Sequence, residues 1–170
     1  ACAAIDGGLA DSFAGRWLVA RLHGERDLLL EPPDPPAPRP DLYCFAFSRD
    51  GRTVAAGAAD GRLVIRRLAA DGSPAEPPLV IAKAHDEVND VAFSPDGGQV
   101  ASVGEDGRLC VWSVADGRPA RDAFQAGGPL FAVAFSPAGD RLVCGGARQR
   151  IHAIPLTAKG EIEEIGRAHV

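Results

Sequence analysis

The sequence contains no methionine and only two lysines, Lys83 and Lys159, among its 170 residues. No stretch approaches the roughly 18 apolar residues that span a membrane as a helix, and no charged segment followed by an apolar one marks a secretory leader. Cysteine is sparse: Cys2, Cys44, Cys110 and Cys144 include no C-x-x-C pair, so zinc-knuckle spacing is absent. Cys44, Cys110 and Cys144 lie in segments that read as strands, where a free thiol behaves as a small apolar residue. Buried structural thiols are expected, in a reducing, cytoplasmic compartment. Basic charge is also short. The net charge of −5 provides no broad cationic face for nucleic acid, and Arg16, Arg21 and Arg26 read as a solvated surface. There is no P-loop, dinucleotide fingerprint, H-E-x-x-H or EF-hand loop, so no cofactor, metal or catalytic residue is expected. Glu161, Glu163 and Glu164 read as a solvated edge, and His23, His152 and His169 lack ligand-spaced partners.

What the chain does have is a repeated cassette. Between Lys83 and Val114, an apolar pattern (Val88, Val91, Phe93) leads into a Pro95-Asp96-Gly97 turn and a second pattern at Val100 and Ser102. An Asp106-Gly107 turn and the run Leu109 to Trp112 follow. Apolar alternation bounded by such turns predicts antiparallel strands joined in hairpins. The cassette recurs upstream from Phe45 through Asp60-Gly61 to Leu68, and downstream from Val133 to Leu156. Phe47 and Phe93 are 46 residues apart, and Phe93 and Phe135 are 42 apart. A period in the low forties with several strands per period predicts β-blades.

These residues resemble the WD40-repeat family of β-propellers. The resemblance rests on His85, Phe93 to Gly97, Ala101-Ser102, Asp106-Gly107 and Trp112, and extends from about Ser12 onward. It implies an all-β fold of four-stranded antiparallel blades. At about 40–45 residues per blade, the chain holds about four, part of a larger six- to eight-bladed propeller. The blades are expected near 10–40, 41–84, 85–127 and 128–168, all within one propeller segment, 1–170. Arg167-Ala168-His169 echoes Lys83-Ala84-His85, the two histidines lying 84 positions apart. A fragment of a longer protein is therefore expected, with remaining blades or neighbouring chains needed to close the ring. Abundant Ala, Gly, Arg and Pro suggest a bacterial gene.

In chain order, Ser12 to Ala20 and Leu28 to Leu30 read as a degraded first blade, and Glu31 to Pro40 as a stiff polyproline connection. Outer strands are expected at Leu79 to Lys83, Arg121 to Ala126 and Glu161 to Ile165. No helix is expected.

The resemblance implies a structural hydrogen-bond network of His85, Ser102, Asp106 and Trp112. Read without it, Ser102, His85 and Asp106 could pass for a hydrolase triad, but no nucleophile elbow or oxyanion loop accompanies the serine. The matching positions of the second blade are Arg39, Ala56, Asp60 and Arg66, and of the fourth Gly127, Cys144, Arg148 and Ile154. Both have lost the network, so packing of Phe47, Phe93 and Phe135 is expected to carry more of the stability.

The function implied is a non-catalytic interaction or scaffold module, the sensor or regulatory part of a larger protein. A protein or peptide partner would meet a face lined by Asp41, Tyr43, Glu87, Asn89, Glu105, Pro129, Phe131 and Ala147, with neither nucleic acid nor membrane involved. Tyr43 and Phe131 would be its aromatic anchors. The alternatives are an enzymatic propeller of hydrolase or lactonase type, disfavoured by apolar inner strands, and a purely structural blade array.

Overall fold

The computed structural model describes residues 41–121, 123–147 and 150–156 in full, and the backbone of the strands at 18–19, 28–29 and 163–167. The strands β1 (Leu18–Val19) and β2 (Leu28–Leu29) pair antiparallel. Three four-stranded antiparallel meanders follow. The second blade comprises β3 (Leu42–Phe47), β4 (Thr53–Ala58), β5 (Leu63–Arg67) and β6 (Leu79–Ile81). The third comprises β7 (Val88–Phe93), β8 (Gln99–Gly104), β9 (Arg108–Ser113) and β10 (Phe124–Gln125). The fourth comprises β11 (Leu130–Phe135), β12 (Arg141–Gly146), β13 (Arg150–Pro155) and β14 (Glu163–Arg167). The described residues contain no α-helix. The blades are those of a β-propeller, with β3, β7 and β11 side by side as the innermost strands.

Local turn chemistry sets each meander. In the first hairpins, Ser48 donates to Asp50 and Ser94 to Asp96, while Asp50 accepts from Arg52 N and Asp96 from Gly98 N. Gly51 and Gly97 follow with φ of +69° and +72°, a region that Gly enters without a Cβ penalty. At the other end of the sheets, Asp60-Gly61 and Asp106-Gly107 turn the chain again. Here the glycine carbonyls also hold the connectors: Gly61 O accepts from Ala84 N, and Gly107 O from Ala126 N.

These clasps explain a difference from the sequence reading. The outer strands are shorter than expected, ending at Ile81 rather than Lys83 and covering only Phe124–Gln125 rather than Arg121 to Ala126. The clasp takes up the amide of Ala84 and of Ala126, pulling the chain towards the next blade. The last outer strand lies at Glu163–Arg167, two residues beyond the expected span at each end.

Apolar faces stack the blades. Ala55, Leu63 and Ile65 of the second meet Val88, Val91, Val100 and Trp112 of the third. Ala101, Val103, Leu109 and Val111 on the third blade's other face meet Leu130, Val133, Leu142 and Ile154 of the fourth. Each buried aliphatic contributes about 1.5–3 kcal/mol, so stacking outweighs any single hydrogen bond at about 0.5–1.5 kcal/mol. Phe47, Phe93 and Phe135 each flank one cluster, partly buried. The fourth blade's far face is more open: Ala134 is exposed and Ile151 is 36 % exposed, whereas Leu109, its counterpart in the third blade, is 2 % exposed.

Each innermost strand carries a bulge at the same place. Register slips between Leu42 and Cys44, between Val88 and Asp90, and between Leu130 and Ala132. The extra residues are Tyr43, Asn89 and Phe131. Such a bulge re-aims one side chain away from the pleat.

Candidate functional site: a buried polar chain and an aromatic end face

In the third blade, His85 stands on the connector, Ser102 on β8, Asp106 in the turn and Trp112 on β9. Trp112 Nε1 donates to Ser102 Oγ at 2.8 Å. Because the indole can only donate, the serine's own proton is free to go to His85 Nε2, also 2.8 Å away. His85 Nδ1–H then donates to Asp106 at 2.9 Å, and Asp106 accepts from Arg108 N. Gly104 makes room for the ring, since a Cβ there would lie 2.6 Å from that of His85. The chain is satisfied from end to end, which is what burial of a histidine and a hydroxyl demands.

The equivalent positions elsewhere do not carry the same set of side chains, although Asp60 keeps the turn carboxylate of Asp106. Ala56 pairs with Phe45 as Ser102 pairs with Val91, and Arg66 lies opposite Val54 as Trp112 lies opposite Val100. In the fourth blade Cys144 and Ile154 occupy those places. Arg39 and Arg148 lie outside the described residues.

The candidate partner-facing residues fall on one end of the sheets in three sets of equivalents. Backbone bonds from Ala59 N to Asp41 O, Glu105 N to Glu87 O and Ala147 N to Pro129 O repeat once per blade. Beside them stand the three bulge residues. Tyr43 and Phe131 are each 54 % exposed, the largest exposures among the big apolar side chains of the described residues. Asn89 differs because its amide is engaged: Nδ2 donates to Leu130 O at 2.9 Å and reaches Glu105 Oε2 at 3.4 Å. Next to it, Asp90 Oδ2 accepts from Val133 N at 2.9 Å. Asn89 and Asp90 thus bracket the backbone edge of β11, satisfying groups no neighbouring strand reaches. Sequence reasoning missed Asp90. The signal was a polar pair where the other blades have Tyr43-Cys44 and Phe131-Ala132.

The family described as "WD domain, G-beta repeat" (WD40) matches residues 37–66 and 77–113. These two stretches are WD40 repeats. The matches run through β3 to β5 and through β7 to β9, the strands that carry the turns and the polar chain. No curated protein matches the chain.

The chemistry this WD40 chain can perform is limited by burial. Ser102 is 0 % exposed, so no substrate reaches its hydroxyl in the folded state. Cys44, Cys110 and Cys144 are free thiols; Cys110 and Cys144 are buried, whereas Cys44 is only partly so. Burial pushes Cys44 up to about 12 and Cys144 up to about 11, and raises Cys110 as well. They stay protonated and poorly nucleophilic at neutral pH. The described residues hold no cluster of His, Cys, Asp and Glu able to bind a metal, and no helix long and apolar enough to cross a membrane.

Proposed function

We propose that the chain is a non-catalytic, cytoplasmic interaction module, the scaffold or regulatory part of a larger assembly. It would bind a protein or peptide through the end face bearing Tyr43 and Phe131. WD40 repeats suggest interaction or scaffolding in general. The observation that carries the assignment to this face is the exposure of both aromatics on equivalent bulges. A large apolar ring held half out of the fold contributes little to stability and is the residue type interfaces favour. The inaccessibility of Ser102 supports a non-enzymatic reading.

The test is photo-crosslinking from a benzophenone amino acid placed at Phe131 or, as a control, at exposed Glu76. A partner trapped only from Phe131, and bound at least tenfold more weakly by a Tyr43→Ala/Phe131→Ala variant, is expected. A partner indifferent to both substitutions would move the binding site elsewhere.

A second reading, a structural blade array, is favoured by the open far face of the fourth blade around Ala134 and Ile151. A further blade or neighbouring chain would pack there.

A further inference from the structure

Resting on the end-face reading, we infer that the segment this face accepts is cationic, a Lys- or Arg-bearing peptide with an apolar side chain among its charges. The surface itself is defined by Tyr43 and Phe131; the charges around them select the occupant. Asp41 and Glu87 occupy equivalent positions at the starts of β3 and β7, and Glu105 follows β8 beside Glu87. Asp41 and Glu105 are exposed. Among the described residues none of these three carboxylates has an ion-pair partner, while Arg62 at this end is paired to Asp60 at 2.6 Å. Of the cations near this end, Lys83 lies on the connector after β6 and Arg108 opens β9, away from the starts of the innermost strands where Asp41 and Glu87 stand.

The opposite end of the sheets shows that this is not a general habit of the chain. There the carboxylates have structural work: Asp50, Asp96 and Asp140 each accept from the serine of their own turn. Arg49, Arg52, Arg118 and Arg141 are interspersed with them, so that end is mixed in sign. At the Tyr43–Phe131 end the turn aspartates are engaged, Asp60 by Arg62 and Asp106 by His85 and Arg108 N, but Asp41, Glu87 and Glu105 make no such turn bond and place negative charge at the same end as the exposed aromatic rings. An anionic partner would add repulsion to that charge, and a neutral one would leave it unrelieved. A cationic one gains Coulomb energy at the rim, faster encounter, and a ring face for its charge or its apolar side chain.

The experiment measures fluorescence anisotropy of three labelled twelve-residue peptides, Lys/Leu, Glu/Leu and Ser/Leu, against the folded protein at low and high salt. The Lys/Leu peptide should bind most tightly and weaken by roughly tenfold or more as the Debye length falls from about 30 to 8 Å. Glu87→Gln/Glu105→Gln should cost about fivefold in its affinity and flatten the salt dependence, with the melting temperature unchanged. Glu76→Gln, remote from the face, should change neither. Equal loss with Glu76→Gln would mean diffuse charge attraction and would overturn the proposal, as would no Lys/Leu binding at any salt. Preferential Ser/Leu or Glu/Leu binding that Tyr43→Ala/Phe131→Ala abolishes would overturn the cationic choice alone and leave the end-face reading standing. Binding of all three peptides indifferent to the aromatic variant would sink both.

Discussion

The second and third blades have the same strand order, the same bulge and the same three positive-φ turn glycines, yet only the third contains the His85–Asp106–Ser102–Trp112 chain. Ala56 and Ser102, at matching positions, are both 0 % exposed. Blade geometry therefore does not depend on the polar chain. It comes from what the two share: Ser–Asp bonded turns, glycine carbonyls clasping the next connector, and small or branched apolar residues on both faces. The third blade adds a satisfied polar network to a shape already specified, and the second stands with an alanine in its place.

The shared turns offer the largest effects. Gly61 and Gly51 both sit at positive φ, but a Cβ at Gly61 would lie 1.9 Å from His85 O, while one at Gly51 meets nothing within 4 Å. Gly51→Ala should therefore cost only the left-handed penalty, about 1–2 kcal/mol. Gly61→Ala adds a backbone clash that cannot relax without breaking the clasp to Ala84, and should cost about 4 kcal/mol or more. Urea denaturation of both variants compares them directly. Equal midpoints would mean that the clasp between blades contributes nothing.

The network comes next. His85→Ala or Asp106→Ala leaves buried partners unsatisfied and should destabilise by about 1–3 kcal/mol. The reverse substitution in the second blade, Ala56→Ser, should not stabilise. Its hydroxyl would enter a fully buried site without the histidine and indole that Ser102 has. An unchanged melting temperature in His85→Ala and Asp106→Ala would show that the polar chain is ornamental, and a gain in Ala56→Ser that the second blade hides an acceptor of its own.

A smaller effect separates the two junctions between innermost strands. Asp90→Ala strips the acceptor from Val133 N, whose residue is only 4 % exposed, and should cost about 1–2 kcal/mol. At the preceding junction Cys44 offers only a long Sγ contact to Val88 O, 3.7 Å. Cys44→Ala should cost less than Asp90→Ala in the same urea titration, and the opposite order would make the thiol the stronger bracket.

The sequence was most informative where the cause is local. Ser94-Pro95-Asp96-Gly97 and Asp106-Gly107 dictate turns by side-chain bonding and φ alone, so the strands between them could be placed to within a residue or two. The outer strands were less legible, because Ala84 and Ala126 leave them to satisfy the carbonyls of Gly61 and Gly107, some twenty residues earlier in the chain. The bulges were legible but passed over. Leu42 and Phe45, Val88 and Val91, and Leu130 and Val133 are each three apart, one more than a flat strand allows for residues on one face. The four network residues could be named through their resemblance to a family pattern. Asn89 was named only for the partner-facing end and Asp90 not at all, since their partners Leu130 O and Val133 N are backbone atoms, and no sequence pattern marks a hydrogen-bond partner on another blade.

The smallest effect concerns the hairpin turns at the far end. Ser94 and the Gly98 amide hold the Asp96 carboxyl below its usual value of 3.8, and Ser48 with the Arg52 amide does the same for Asp50. In the fourth blade Ala138 replaces the turn aspartate, and Ser136 turns instead to Asp140. A depressed folded-state pKa means the unfolded chain binds the proton more readily, so these bonds stabilise above about pH 4 and are lost as pH falls through the folded value. Both carboxyls are solvent-exposed, so screening keeps the gain small. Ser94→Ala should raise the Asp96 midpoint towards 3.8 in a carboxyl-carbon NMR titration and leave that of Asp50 where it was. If Asp96 did not move, the backbone amide of Gly98 would be its sufficient partner. The hydroxyl common to all three turns would then matter only for shaping the hairpin.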